Sequence, residues 1–426
     1  MPVLSEHLET LAVHAGAAPD PVTGSRITPI YQTASFAFDS VEKAAALFAL
    51  EESGYKYSRT ANPTVAVLEE RVAALEGGTA ALALASGQAA VFLALYTLLQ
   101  PGGRIVSANR TYGGTMVLFE QSFPGFGWGV DYADTEDPDS FERAVTPDTR
   151  AVFVESIANP GGVVVDLEAV ARVARRHRLP LIVDNTLATP YLVRPFESGA
   201  DVVVHSATKF LGGHGNSLGG VIVDGGTFNG AGDGRYPLYS AATRSYPQFV
   251  IGERYSDKAV VTAARLLGLH DLGPALSPFN AFLILNGIET LALRMERHCA
   301  NAVAVAAFLD KHPAVAWVSY SGLPSDPHYP LARKYAPLGA GSVFTVGLTG
   351  GYDAGVKLVN NLKLFSHLAN IGDTRSLVIH PASTTHKQVS DEQKRKAGVG
   401  PEAIRLSIGL EHVDDIIADL AQALEA

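Results

Sequence analysis

The stretch "VVVHSATKFLGGHG", residues 202–215, sets a single lysine between a β-branched run and a cluster of glycines. β-Branched residues favour a strand and glycines a tight loop, so Lys209 falls where a strand ends. In open parallel sheets, reactive groups collect at the carboxyl ends of strands. An amine partly desolvated in such a place loses proton affinity and can condense with an aldehyde. Ser206 and Thr208 stand before Lys209, and Gly212, Gly213 and Gly215 after it. Their hydroxyls and backbone N–H groups suit an anion such as phosphate. A surface lysine in a glycine turn would read the same from this stretch alone. Two nucleotide motifs do not fit, because the lysine precedes its glycines, unlike a P-loop, and no G-x-G-x-x-G is present.

Three further positions point the same way. "LPLIVDNTLATP" ends an apolar run on Asp184, where a carboxylate is costly unless paired. A protonated pyridine nitrogen is one suitable partner, and the pair would keep the ring cationic and electron-withdrawing. An aspartate that caps the next turn is the other reading. In "ASGQAA", Gly87 and Gln88 lie between a strand and a helix, so their N–H groups could cradle a phosphate, or Ser86 could simply cap the helix. Tyr112 of "RTYGGT" could lie on a flat ring or pack in a core. Together these residues answer one requirement, to hold a phosphorylated pyridine aldehyde, and pyridoxal 5′-phosphate (PLP) meets it.

The elements that must position them follow from the periodicity. "NPTVAVLEERVAALEGG" has helical spacing, Pro63 near its start and Gly77-Gly78 as a stop. "TAALALASGQAAVFLALYTLLQPGG" passes from a short apolar run through Ser86-Gly87 into a second helix. "RIVSAN", "AVFVES", "LPLIVDN" and "ADVVVHS" are short β-rich runs, several separated by helical stretches such as "LEAVARVARRHR". Near-continuous apolar strands between helices predict an α/β fold whose mostly parallel sheet carries helices on both faces. Residues 225–258, rich in Gly, Tyr, Ser and Arg, read as a long excursion with little regular structure. One long helix is expected over 278–312. A second, smaller α/β unit follows, with "AVAWVSY", "GSVFTVGL", "HLANIGD" and "AIRLSIGLE" as its strands. The domain boundary is placed near 265–280.

Composition narrows the classes of function. The chain has 426 residues, enough for two domains, with 47% apolar and 18% charged residues. A net charge of −10 gives little support to a nucleic-acid partner, and the densest basic cluster, residues 387–398, has acids mixed in. The single cysteine, Cys299, permits no intrachain disulfide or cysteine zinc cluster and suits a reducing cytosol. No signal peptide and no apolar run long enough to cross a membrane are read. Of the 13 histidines, His205, His214, His380 and His386 fall near segments that could border a site. None has a metal-ligand partner at helical spacing, so structural hydrogen bonding is expected of each and no metal is expected.

The motifs "YSRTANPT", "ASGQAA", "TYGGT", "ESIANPGG", "VDNTLATP", "HSATKFLGGHGN", "SLVIHPASTTH" and "RLSIGLE" span almost the whole chain. In them the sequence closely resembles the Cys/Met-metabolism family of PLP enzymes. The resemblance implies the PLP-dependent transferase fold type I, with a smaller C-terminal α/β domain. It implies an N-terminal arm (1–60), a PLP-binding domain (61–270) and a C-terminal domain (271–426). Carried over by motif, Lys209 is the Schiff-base lysine, Asp184 pairs with the pyridine nitrogen and Tyr112 stacks on the ring. Asn159 lies near the phenolic oxygen, while Gly87, Gln88, Ser206 and Thr208 serve the phosphate. Tyr57 and Arg59 reach the neighbouring subunit's phosphate, so an active site needs two chains. Arg405 clamps the substrate carboxylate, aided by Ser376.

The activity implied is γ-replacement on O-acetyl-L-homoserine, with sulfide or methanethiol entering and acetate leaving. Family members that use the succinyl ester, that take cysteine as the sulfur donor, or that eliminate at Cγ share the same cofactor machinery. Methionine-degrading members carry a cysteine shortly after the stacking tyrosine, where this chain has Gly114. The family further implies a cytoplasmic homotetramer built from catalytic dimers, acting on small molecules with no membrane partner.

Overall fold

A computed structural model describes residues 5–384 and 400–426. The basic cluster at 387–398 and His386 lie outside the described residues. The chain falls into two compact units that interleave along the sequence. The first comprises Met1–Leu99, Asp201–Thr208 and Asn216–Glu289; the second comprises Gln100–Ala200, Lys209–Gly215 and Thr290–Ala426.

The first strands in chain order are β1 (Ala80–Leu84), β2 (Arg104–Ala108), β3 (Gly129–Ala133) and β4 (Thr149–Glu155). They are followed by β5 (Leu181–Asp184), β6 (Val202–His205) and β7 (Gly220–Asp224). In the first unit β7 pairs antiparallel with both β1 and β6, and β6 and β7 are buried along their whole length. The helix Pro63–Glu76 packs on β1. Its signals act as read: the Asn62 side chain accepts the Thr64 N–H, Pro63 opens the first turn, and Gly77 stops it at φ +77°. That left-handed backbone is open to glycine at little cost.

In the second unit β2 pairs parallel with β3 and β4, and β4 pairs parallel with β5. This is the parallel sheet that the apolar strands predict; β3 itself was not among the strands read from the sequence. A further sheet in the same unit is built from β8 (Val315–Ser319), β9 (Val343–Leu348), β10 (Ser366–His367), β11 (Leu377–Ile379) and β12 (Ala403–Ser407). Its β11–β12–β9–β8 pairings are antiparallel, and only the short β10–β11 pair is parallel.

Two expectations are corrected. The single helix over 278–312 is two helices, Pro278–Glu289 and Leu291–Leu309, with Thr290 between them. Apolar spacing runs through the break because each half buries a face against a different partner. The first packs on Pro63–Glu76 in its own unit, the second on Val413–Glu425 in the other. "HLANIGD" is not a strand beyond His367. Gly372 takes φ +71°, and a Cβ there would lie 2.8 Å from the Phe210 backbone nitrogen, so the chain turns where an extended run was expected. Residues 225–258 contain only the short helical turns Pro237–Ser240 and Ile251–Arg254, as the composition suggests.

Candidate active site

In the first unit the helix Gly87–Tyr96 starts on Ser86, whose hydroxyl accepts the Ala89 N–H at 3.1 Å. The capping role is therefore filled, and the N–H groups of Gly87 and Gln88 fall in the first helical turn. A Cβ on Gly87 would stand 2.6 Å from the Cβ of Ser206, so only glycine lets the helix start approach the strand end that carries Ser206. Thr208 sits two residues on, and its hydroxyl donates to the Gly219 carbonyl at 3.2 Å and accepts the Gly219 N–H at 3.0 Å. Behind this end of β6, His205 and Glu76 form a fully buried pair at 2.6 Å. Tyr57 and Arg59 stand together elsewhere in the unit. The guanidinium lies 5.4 Å from the tyrosine ring centre and donates to the His270 carbonyl, and Tyr57 is 47% exposed.

In the second unit Lys209 is half-buried and its ammonium donates to the Asn370 side-chain oxygen at 2.5 Å. Burial first, and then the positive charge of Arg405, pull its pKa from 10.5 down to about 8. At pH 7 that leaves roughly one amine in ten neutral, where an ordinary lysine has fewer than one in a thousand. The loop behind Lys209 is tied at both ends. Lys209 O accepts the Gly213 N–H at 2.7 Å, and the Arg294 guanidinium donates to Phe210 O at 2.8 Å. Arg405, on β12, is buried and donates to the Asn370 carbonyl at 3.1 Å, so Asn370 touches both cations. Desolvation lowers the Arg405 pKa to about 10, which still leaves it charged at neutral pH.

Asp184, Glu155, Asn159 and Tyr112 cluster at the carboxyl ends of β4 and β5. Asp184 ends β5 in register with Glu155, which ends β4. Asp184 Oδ1 accepts the Thr186 N–H at 2.9 Å, so the turn-capping role read from the sequence is also real. Glu155 is 3% exposed and accepts two backbone N–H groups, Tyr112 at 2.6 Å and Asn159 at 2.9 Å. Burial and then the neighbouring Asp184 charge push the Glu155 carboxyl well above its ordinary range, against the pull of the two N–H donors. Tyr112 is 46% exposed and so does not pack in the core, the bland alternative for it.

The Ser376 hydroxyl donates to Glu411 at 2.9 Å and accepts the Gly409 N–H at 2.9 Å, while Arg405 donates to the Asn370 main-chain carbonyl. The sequence reading missed Asn370 and Glu155. Glu155 carried a usable signal, since it ends the apolar run "AVFVE" just as Asp184 ends "LIVD". The histidines make structural hydrogen bonds: His205 to Glu76, His214 to Gly212 O, and His380 to Ser383 and Pro401 O.

These residues fit a bound pyridine aldehyde phosphate. The Asn159 side-chain oxygen is buried without a hydrogen-bond partner, the Tyr112 face is accessible, and the Lys209 amine is weakly basic. An unmet buried acceptor is costly unless something bound supplies its donor. Among the described residues no three His, Cys, Asp or Glu side chains are grouped to hold a metal, and no helix is long and apolar enough to cross a membrane.

The model of the Cys/Met metabolism PLP-dependent enzyme family matches residues 9–425. An O-acetyl-L-homoserine sulfhydrylase of Leptospira meyeri is 49% identical, over 98% of this chain and 96% of that one. The homocysteine synthase of Schizosaccharomyces pombe is 49% identical over the full length of both. O-acetyl-L-homoserine sulfhydrylase 1 of Thermus thermophilus is 52% identical, over 98% of this chain and 99% of that one. A crystal structure from Campylobacter jejuni that carries N′-pyridoxyl-lysine-5′-monophosphate superposes with a TM-score of 0.94 at 40% identity, covering 99% of this chain and 100% of that one.

Proposed function

Since the chain belongs to the Cys/Met metabolism PLP-dependent enzyme family, we propose that it replaces the γ-acetoxy group of O-acetyl-L-homoserine with sulfide. The products are L-homocysteine and acetate; methanethiol as acceptor gives methionine. One observation carries the reading on the side of geometry: a weakly basic, half-buried amine, Lys209, and a buried guanidinium, Arg405, share one residue, Asn370. An amine for the cofactor aldehyde and a clamp for an α-carboxylate are what an amino-acid substrate requires. Full-length relatives named for this activity support the choice of ester and acceptor.

PLP, the cofactor of the family, supplies an electron sink for the charge left at the substrate Cα. Lys209 anchors its aldehyde, Asp184 pairs with the ring nitrogen, Tyr112 covers the ring and the Asn159 amide meets the phenolic oxygen. The first-turn N–H groups of Gly87 and Gln88, with the hydroxyls of Ser206 and Thr208, take the phosphate. Thr208 must then give up its bond to Gly219 O. Arg405 fixes the substrate carboxylate by two parallel N–H donors, which orients the Cα–H bond. Lys209 Nζ takes the proton from Cα and then one from Cβ, whose electrons expel acetate from Cγ; after hydrosulfide adds at Cγ, protons return to Cβ and Cα, with the Tyr112 hydroxyl as a second proton carrier. Charge balances over the turnover, because hydrosulfide enters and acetate leaves.

The purified chain, supplied with PLP, is expected to turn over acetyl-homoserine with sulfide at least ~10-fold faster than succinyl-homoserine with sulfide or acetyl-homoserine with cysteine. Faster turnover of the succinyl ester or with cysteine overturns the assignment. A dependence on pH follows from Lys209. Cofactor incorporation, followed by visible absorbance, is expected to rise as pH climbs toward about 8 and then to level off, because only the neutral amine reacts. Arg405→Gln moves that midpoint upward, since the guanidinium charge is one of the two causes of the lowered value. An unmoved midpoint in the variant contradicts this coupling.

The contiguous division into 1–60, 61–270 and 271–426 belongs to the same proposal, as does a cytoplasmic homotetramer of catalytic dimers with Tyr57 and Arg59 serving the neighbouring site. Exposed Val22, Ile27, Phe38, Val41 and Phe48 in the N-terminal arm support burial against a second copy.

A further inference from the structure

Glu155 takes no part in the roles assigned above, yet it is a buried carboxylate with both oxygens committed. Oε1 accepts the Tyr112 N–H and Oε2 the Asn159 N–H. These donors are 43 and 4 residues away in the chain, so one side chain ties two separate loops to the end of β4. Neither donor has a partner in regular structure. Tyr112 is the residue before the five-residue helix Gly113–Val117, and Asn159 lies in a turn after β4. A backbone N–H at a helix start must find an outside acceptor, and the two Glu155 oxygens supply one to each loop.

The geometry points to Glu155 as a positioning residue that fixes the backbones of Tyr112 and Asn159 at a set spacing, and through them the tyrosine ring and the asparagine amide that face the cofactor. It rests on the cofactor assignments proposed above. The choice of glutamate is specific. Asparagine or glutamine offers one acceptor oxygen and would turn an NH₂ group toward the other N–H. Aspartate is one methylene too short to reach both loops from the same strand end.

The test is Glu155→Gln in the PLP-loaded enzyme, read by amide hydrogen exchange and by the circular dichroism of the bound cofactor. Exchange at the Tyr112 or Asn159 amide is expected to accelerate at least ~10-fold, while the helix Leu291–Leu309 keeps its protection. The cofactor dichroism should shrink and its dissociation constant should rise ~10-fold or more, because a mobile ring no longer holds one orientation. Faster exchange with unchanged dichroism and affinity would make Glu155 a structural group only and overturn the proposal; so would unchanged exchange at both amides. Failure of the cofactor assignment is distinguishable, since wild-type protein would then show no cofactor dichroism whatever the exchange pattern. Should the variant not fold, wild-type exchange decides. Both amides lie outside regular structure and must nonetheless be protected, and rapid exchange at either one refutes the clamp.

Discussion

Lys209→Ala is expected to form homocysteine at least ~10⁴-fold more slowly than the wild-type enzyme, while remaining folded. Two contributions are lost with one nitrogen, the attachment of the cofactor aldehyde and the transfer of the Cα proton, and a positioned acid–base group alone is worth ~10²–10⁴ in rate. Stability should not fall with it. The half-buried ammonium is held below its ordinary proton affinity by burial, so removing it relieves a desolvation cost while forfeiting one hydrogen bond to Asn370. Turnover assays and thermal unfolding on the same preparation check both halves. Homocysteine formation within tenfold of wild type would falsify the assignment of Lys209.

Asp184→Asn should lower turnover ~10²–10³-fold and weaken PLP binding, with little change in melting temperature. The substitution separates the two readings that the sequence left open. Asparagine keeps an oxygen for the Thr186 N–H, so the turn after β5 survives. On the proposed pairing, what it removes is the negative charge opposite a protonated ring nitrogen, and leaving a buried charge unpaired costs ~3–5 kcal/mol. The same change withdraws the charge that helps push Glu155 upward, so the Glu155 carboxyl should ionise more readily. Spectroscopic titration of the bound cofactor, with unfolding as control, measures these effects. If Asp184→Asn lost stability as steeply as it lost rate, Asp184 would be a turn cap and little else.

Much of this was legible because strand ends announce themselves. A charge that closes a run of buried apolar residues needs a reason, and that signal found both Lys209 and Asp184. It marks Glu155 equally, at the end of "AVFVE". Asn370 was hidden from it. It meets Lys209 across 161 residues of sequence, inside a segment whose apolar letters suggested a strand. Local pattern says nothing about which distant loop folds over an amine. Ser376 was legible from its motif, but the bonds of its hydroxyl to Glu411 and Gly409 were not, because both partners lie more than thirty residues away. The break at Thr290 was invisible because both helices keep the same 3.6-residue rhythm while facing different partners.

The shared contact at Asn370 bears on timing. Arg405 is one of two reasons that Lys209 holds its proton weakly, and the positive field lasts only while the guanidinium has no anion beside it. A carboxylate seated there cancels the field. The nitrogen is then a better proton acceptor than it was in the waiting enzyme. On the roles proposed for Lys209 and Arg405, docking of the substrate would convert one nitrogen from the anchor of the cofactor into a base.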